Sequence, residues 1–121
     1  MKQEKINRAY PSLVKLKDVS LPVKKAYAVY KLYSAVEDAY NFALGEEKKY
    51  LNEFGGVIVE DGSINFKSAE DCSAFKARFD ELINSEIELN IESVTLTESD
   101  VEGQKLTPGD IYNLEGFVIF E

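Results

Sequence analysis

An α+β fold is what this sequence predicts: one domain spanning residues 1–121, with a long central helix and two or three shorter ones packed on a small antiparallel sheet. Three observations lead there. Residues 22–54 run without internal proline, and Val23, Tyr27, Tyr30, Tyr33, Val36, Tyr40, Leu44, Leu51 and Phe54 recur along them at helical spacing. Residues 57–66 read as a β-hairpin around Asp61-Gly62. Shorter amphipathic stretches lie before and after these two elements.

The first of these, residues 6–16, places Ile6, Tyr10, Leu13 and Val14 on one helical face, with Pro11 either in the first turn or kinking the segment. A connector follows at 18–22. In it Ser20 can cap the next helix, Leu21 can pack back as a staple, and Pro22 suits an early helical position. The long helix has one weak point, Gly45, and a marked end at Gly55-Gly56, where a positive φ is wanted. A straight helix of that length would reach roughly 50 Å, whereas a compact chain of this size has a diameter of roughly 35 Å. The helix must therefore break, protrude or find a partner.

A two-residue type I′ turn in the hairpin would set Val59 opposite Ile64 and Val57 opposite Phe66, so that Val57, Val59, Ile64 and Phe66 share an apolar face. Ser68 then offers an N-cap to a third helix bearing Cys72, Phe75, Phe79, Leu82 and Ile83 and ending near Asn84. Ile87, Leu89 and Ile91 alternate with Glu86, Glu88, Asn90 and Glu92, the pattern of a half-buried strand with an acidic outer face. Val94 and Leu96 reverse the phase, which requires a break near Glu92-Ser93. A polar loop occupies 97–105. Thr107-Pro108 opens a short helix with Ile111, Tyr112 and Leu114, and the apolar run 117–120 is either a buried edge strand or an exposed docking tail.

The formal net charge is −8, unevenly spread: residues 1–31 carry eight Lys or Arg against Glu4 and Asp18, while residues 32–121 carry six against twenty acidic residues. Such a balance disfavours direct nucleic-acid binding, which needs a broad basic footprint. No run approaches the length of a membrane span, no apolar leader follows Met1, and the single cysteine, Cys72, leaves no internal disulfide to form, which suits a reducing cytosol.

The chain contains no histidine, which removes the Ser-His and Cys-His nucleophile arrangements. Cys72 on an apolar helical stripe reads as a buried, inert thiol. Gly55-Gly56 lacks the neighbours of a phosphate loop. No catalytic, cofactor-binding or metal-ligating set is expected. Glu86, Glu88 and Glu92 on one strand face, with Glu98, Asp100 and Glu102 in the following loop, form a candidate acidic surface that lacks the ligand pattern of a calcium loop. Tyr27, Tyr30, Tyr33 and Tyr40 share a broad face of the long helix. They are either an intramolecular core with hydroxyls at its edge or, with Phe117 and Ile119, a candidate interface, since tyrosine is enriched at binding hot spots.

The order of Leu21-Pro22-Val23-Lys24-Lys25-Ala26-Tyr27, Glu60-Asp61-Gly62-Ser63-Ile64, Phe75 to Leu82, Glu86-Ile87-Glu88-Leu89 and Leu106-Thr107-Pro108-Gly109-Asp110 resembles a family of small, uncharacterised bacteriophage and prophage proteins of DUF1617-like type. That resemblance implies a protein of the bacterial host's cytoplasm or of the virion, with no catalytic residues. Two functions are then open. One is a non-catalytic interaction module in virion structure or assembly, docking a second copy or another protein. The other is an anti-defence, anti-CRISPR-like inhibitor whose acidic surface occupies a basic nucleic-acid-binding host protein.

Overall fold

The computed structural model describes residues 1–121. Four helices and four short strands follow in the order α1 (Gln3–Leu16), α2 (Val23–Glu53), β1 (Val57–Ile58), β2 (Ile64–Asn65), α3 (Ala69–Ile83), β3 (Val94–Leu96), α4 (Pro108–Asn113) and β4 (Val118–Phe120). The α+β class is as expected. The sheet is not one antiparallel unit, however, but two separate pairs, β1 with β2 antiparallel and β3 with β4 parallel. A parallel pair needs a long crossover, and the loop after Leu96 together with α4 supplies it.

Helix α1 begins three residues earlier than the apolar spacing suggested and carries Pro11 in its interior, exposed to solvent. The pyrrolidine ring removes one bond to the Asn7 carbonyl, yet the helix continues to Leu16. Its buried stripe of Ile6, Ala9, Leu13 and Leu16 lies against Val29, Leu32 and Val36 of α2. Ser20 does not cap α2. Pro22 occupies that position, with no side-chain cap, and its carbonyl accepts from Ala26 N–H at 2.9 Å, while Leu21 packs on the core as a staple would.

Helix α2 is unbroken for 31 residues, through Gly45, and so extends about 46 Å. The length conflict is resolved by sharing the helix between two packing centres. Its first half faces the main core, which β3, Leu114, Phe117 and Val118 complete from the other side. Its second half carries Ala43 and Leu51, buried outside that core, and packs against α3. The end is a Schellman motif: Gly55 has φ of +68°, Gly56 N–H donates to the Leu51 carbonyl at 2.8 Å, and Gly55 N–H donates to Asn52.

The hairpin register differs by one residue from the expected one, pairing Val57 with Asn65 and Ile58 with Ile64. Gly62 N–H donates to the Val59 carbonyl and Val59 N–H to the Ser63 carbonyl, both at 2.9 Å, and Gly62 has φ of +85°. These bonds define a three-residue loop, a type I turn closed by a glycine bulge. Asp61 favours it by accepting from both Ser63 N–H, at 2.9 Å, and Ser63 Oγ, at 2.6 Å. The slip puts Ile58, Ile64 and Phe66 on one face and Val57 on the other, so the predicted Val57/Val59/Ile64/Phe66 face does not form. Phe66 reaches Phe75 of α3 at 5.4 Å between centroids.

Ser68 caps α3 as its position suggested, accepting from Asp71 N–H at 3.1 Å. Cys72 is half-buried rather than fully enclosed. Residues 87–91 show the expected alternation, with Ile87, Leu89 and Ile91 on the core and the acids outward, but form no ladder. Only an isolated antiparallel bridge, Lys2 with Glu86, marks the start of this segment. Glu92 and Ser93 are both exposed, and there the phase reverses so that Val94 and Leu96 point inward. The segment 117–120 is the edge strand of the two alternatives, with Phe117 0% and Val118 5% exposed. Phe117→Ala should therefore destabilise the protein by about 3–5 kcal/mol, measured by urea unfolding. An unchanged midpoint would return Phe117 to the surface.

Candidate functional site

The four candidate tyrosines of α2, Tyr27, Tyr30, Tyr33 and Tyr40, do not share one environment. Successive helical residues rotate by about 100°, which carries Tyr33 and Tyr40 roughly a quarter-turn away from Tyr27 and Tyr30. Tyr33 and Tyr40 are half-buried against Tyr10 of α1, with centroid separations of 5.9 Å and 4.2 Å. The Tyr33 hydroxyl donates to Glu37 Oε2 at 2.7 Å, and the Tyr10 hydroxyl reaches the same oxygen at 3.3 Å. The hydrogen bond with Tyr10, then that to Glu37, pushes the Tyr33 phenol above its ordinary value. This group packs in the seam between α1 and α2, as the intramolecular alternative has it, with Tyr33 also at the edge of a surface groove. Phe117, also a candidate, is core.

Tyr27 and Tyr30 lie outside, 60% and 57% exposed, in an edge-to-face pair with centroids 6.2 Å apart. Val23, one turn earlier, is 84% exposed. The three form a ridge at positions i, i+4 and i+7 along the first turns of α2. A groove lies on each flank. One, of about 280 Å³, is walled by Leu16, Val19, Leu21 and Val29 with Tyr30 and Tyr33, and no carboxylate lines it. The other, of about 390 Å³, lies between Lys24, Tyr27 and Lys31 of α2 and residues 90–93. A lysine sits over a tyrosine ring beside each: Lys17 over Tyr33 at 5.8 Å and Lys31 over Tyr27 at 4.7 Å. Ile119, the last candidate, is half exposed on β4, apart from this ridge in sequence and not among the residues lining either groove.

The six candidate acids separate as well. Glu88, Glu92, Glu98 and Glu102 are exposed and make no ion pair. Glu86 accepts from the Met1 ammonium at 2.8 Å, which holds its carboxyl below the usual carboxylate range. Asp100 is half-buried and paired with Lys25 of α2, so it is a structural anchor and not part of a free acidic surface. No three acidic or thiol side chains converge on one point.

The most constrained acid is one that spacing alone did not single out. Asp110 is 8% exposed, accepts from Ser12 Oγ at 2.8 Å and from Lys15 Nζ at 2.5 Å, both on α1, and also accepts from Thr107 N–H at 2.9 Å. Thr107 Oγ1 in turn accepts from Asp110 N–H at 3.1 Å, completing a capping box. The signal was legible as Thr107-x-x-Asp110, and Thr97-x-x-Asp100 repeats it: Asp100 accepts from Thr97 N–H at 2.8 Å, and Thr97 Oγ1 accepts from Asp100 N–H at 3.3 Å. Each aspartate closes its own turn and then reaches a helix lysine.

Lys15 foremost, with Thr107 N–H, holds the Asp110 carboxyl well below the usual carboxylate range. A depressed value in the fold means that this contribution to stability is present above about pH 4 and lost as pH falls below it. Asp110→Asn should destabilise by about 1–3 kcal/mol at neutral pH, and the gap from wild type should close on acidification. Parallel unfolding curves across that range would refute the assignment. At the alkaline end, the raised Tyr33 value favours the neutral phenol. Its contribution is present below about pH 10 and lost as pH rises further. An ultraviolet titration should show a late phenol ionisation that Tyr33→Phe removes. No family model, curated protein or solved structure matches the chain.

Proposed function

We propose that this chain is a non-catalytic protein-interaction module that docks its partner through the solvent face of the first turns of α2. The observation that carries this reading is the contiguous exposure of Val23, Tyr27 and Tyr30 between two grooves. Scattered surface apolar residues are ordinary. Three on one helical ridge, two of them tyrosines, a residue type enriched at binding hot spots, are what an interface uses. The resemblance in sequence order to small phage and prophage proteins supplies the setting, virion structure or assembly in a bacterial host.

A second reading is favoured by Glu88, Glu92, Glu98 and Glu102, which stay unpaired at the surface of a chain with net charge −8. On it, the acidic side occupies a basic nucleic-acid-binding host protein as an anti-defence inhibitor. Substitution separates the two, because reversing Glu88, Glu98 and Glu102 weakens a complex held by the acidic side and leaves one held by the Val23-Tyr27-Tyr30 ridge unchanged.

The test is the double substitution Tyr27→Ser/Tyr30→Ser. Both side chains are exposed, so stability should change by no more than about 1 kcal/mol. Binding to the protein captured by the wild type from a bacterial lysate should weaken by at least about tenfold, since hot-spot tyrosines contribute about 2 kcal/mol or more. Undiminished capture at high salt would sink the reading.

A further inference from the structure

The ridge of α2 divides two surfaces of different character. On one flank the groove is apolar, closed by the connector between α1 and α2, and carries Lys17 among its lining. On the other, Lys24 and Lys31 face residues 90–93, with Glu92 the one carboxylate among them. None of these three lysines is ion-paired, although Lys15 and Lys25 close by in sequence both are. In a chain of net charge −8, the residues lining the two grooves thus set three ammonium groups against one carboxylate, with Glu37 engaged by the Tyr33 hydroxyl. Resting on the reading above, we infer that the partner presents an acidic peptide segment with an aliphatic or aromatic anchor: the anchor enters the groove walled by Leu16, Leu21, Val29 and Tyr33, and the carboxylates meet Lys24 and Lys31 across the Tyr27-Tyr30 ridge.

Two alternatives fit the same face less well. A second copy paired by a two-fold axis at Tyr27 would set Lys24 of each chain against Lys31 of the other, a like-charge juxtaposition that opposes association. A single-stranded nucleic acid would need free aromatic faces for its bases. The Tyr27 ring is already covered by Lys31 at 4.7 Å, and Tyr27 and Tyr30 meet edge to face, not as a stack open to a base. The first groove, with aliphatic walls, suits a side chain better than a base.

The experiment is selection of a displayed library of random twelve-residue peptides on the immobilised full chain, followed by affinity measurement with the enriched peptides. Acidic peptides containing a large apolar residue should dominate. Their affinity should fall about tenfold or more with Lys24→Glu/Lys31→Glu and with Tyr30→Ala; added salt should weaken only the charge-dependent part. Neutral or basic winners that lose binding in the Tyr27→Ser/Tyr30→Ser protein would overturn the acidic partner while leaving the docking face intact. Winners that bind that variant undiminished, or no enrichment at all, would overturn both. An oligodeoxythymidine probe supplies the remaining arm, since tight binding of it, lost on charge reversal, would replace the peptide by nucleic acid. Circular dichroism of each variant establishes that these exposed positions leave the fold unchanged.

Discussion

The arrangement depends on one constraint: α2 is longer than any single core this chain can build. Its buried positions, Val29, Leu32, Val36, Ala43 and Leu51, lie on a narrow stripe. From Val29 to Leu51 that stripe needs cover along about 33 Å, and no one neighbouring element can provide it. Helix α1, with 14 residues, covers the first half, and α3, with 15, takes over along the second. The hairpin exists at the far end, where Ile64 and Phe66 close over Leu51 and Phe75. Gly56 is required at that closure, because a Cβ there would stand 2.8 Å from Leu51 Cδ2 and 2.9 Å from Phe66 Cε1.

Covering one stripe from one side leaves the rest of the helix to polar contacts, and there the two Thr-x-x-Asp turns matter. A carboxylate that caps its own turn has lone pairs left over. Asp100 and Asp110 spend them on Lys25 of α2 and Lys15 of α1, so a local turn and a long-range attachment are made by the same group. The attachments hold the irregular 97–107 loop and α4 against the helical pair, which brings Leu114 and Phe117 into the core and sets Val118–Phe120 beside β3. They also consume part of the basic charge of residues 1–31, while Lys17, Lys24 and Lys31 make no ion pair.

Most of the helical framework was legible, because it rests on repetition: apolar spacing through α2 and α3, Ser68 before α3, Thr107-Pro108 before α4, and glycine after α2 all report short-range physics that no tertiary contact reverses. The hairpin's existence was legible too, but its register was not. Asp-Gly serves both a two-residue type I′ turn and a three-residue loop with a glycine bulge, and the loop that forms is the one in which Asp61 accepts from Ser63 and Phe66 reaches Phe75. The parallel pairing of β3 and β4 joins residues separated by a crossover, and nothing in either short run encodes direction. In the site, helical periodicity placed four tyrosines on one broad face. Whether Tyr33 and Tyr40 or Tyr27 and Tyr30 were covered depended on where α1 lies, through Tyr10. The loss of Asp100 from the acidic surface has the same origin, a lysine 75 residues away.

The exposed ridge cannot be attributed to the needs of the helix. On a solvated helical face, lysine, glutamate or alanine would stabilise α2 at least as well as valine and tyrosine, which rank lower in helix propensity by several tenths of a kcal/mol. Nor does the core require them: Val29 and Leu32, on the covered side, bury 96% and 99% of their surface, whereas Val23 contributes little cover to anything. Solubility would favour their removal. Folding, packing and solvation thus all point toward a different choice at positions 23, 27 and 30 than the one this chain makes. On the proposed reading, an apolar ridge flanked by lysines free of ion pairs serves contact with a partner outside the chain, beside grooves that already exclude part of the water.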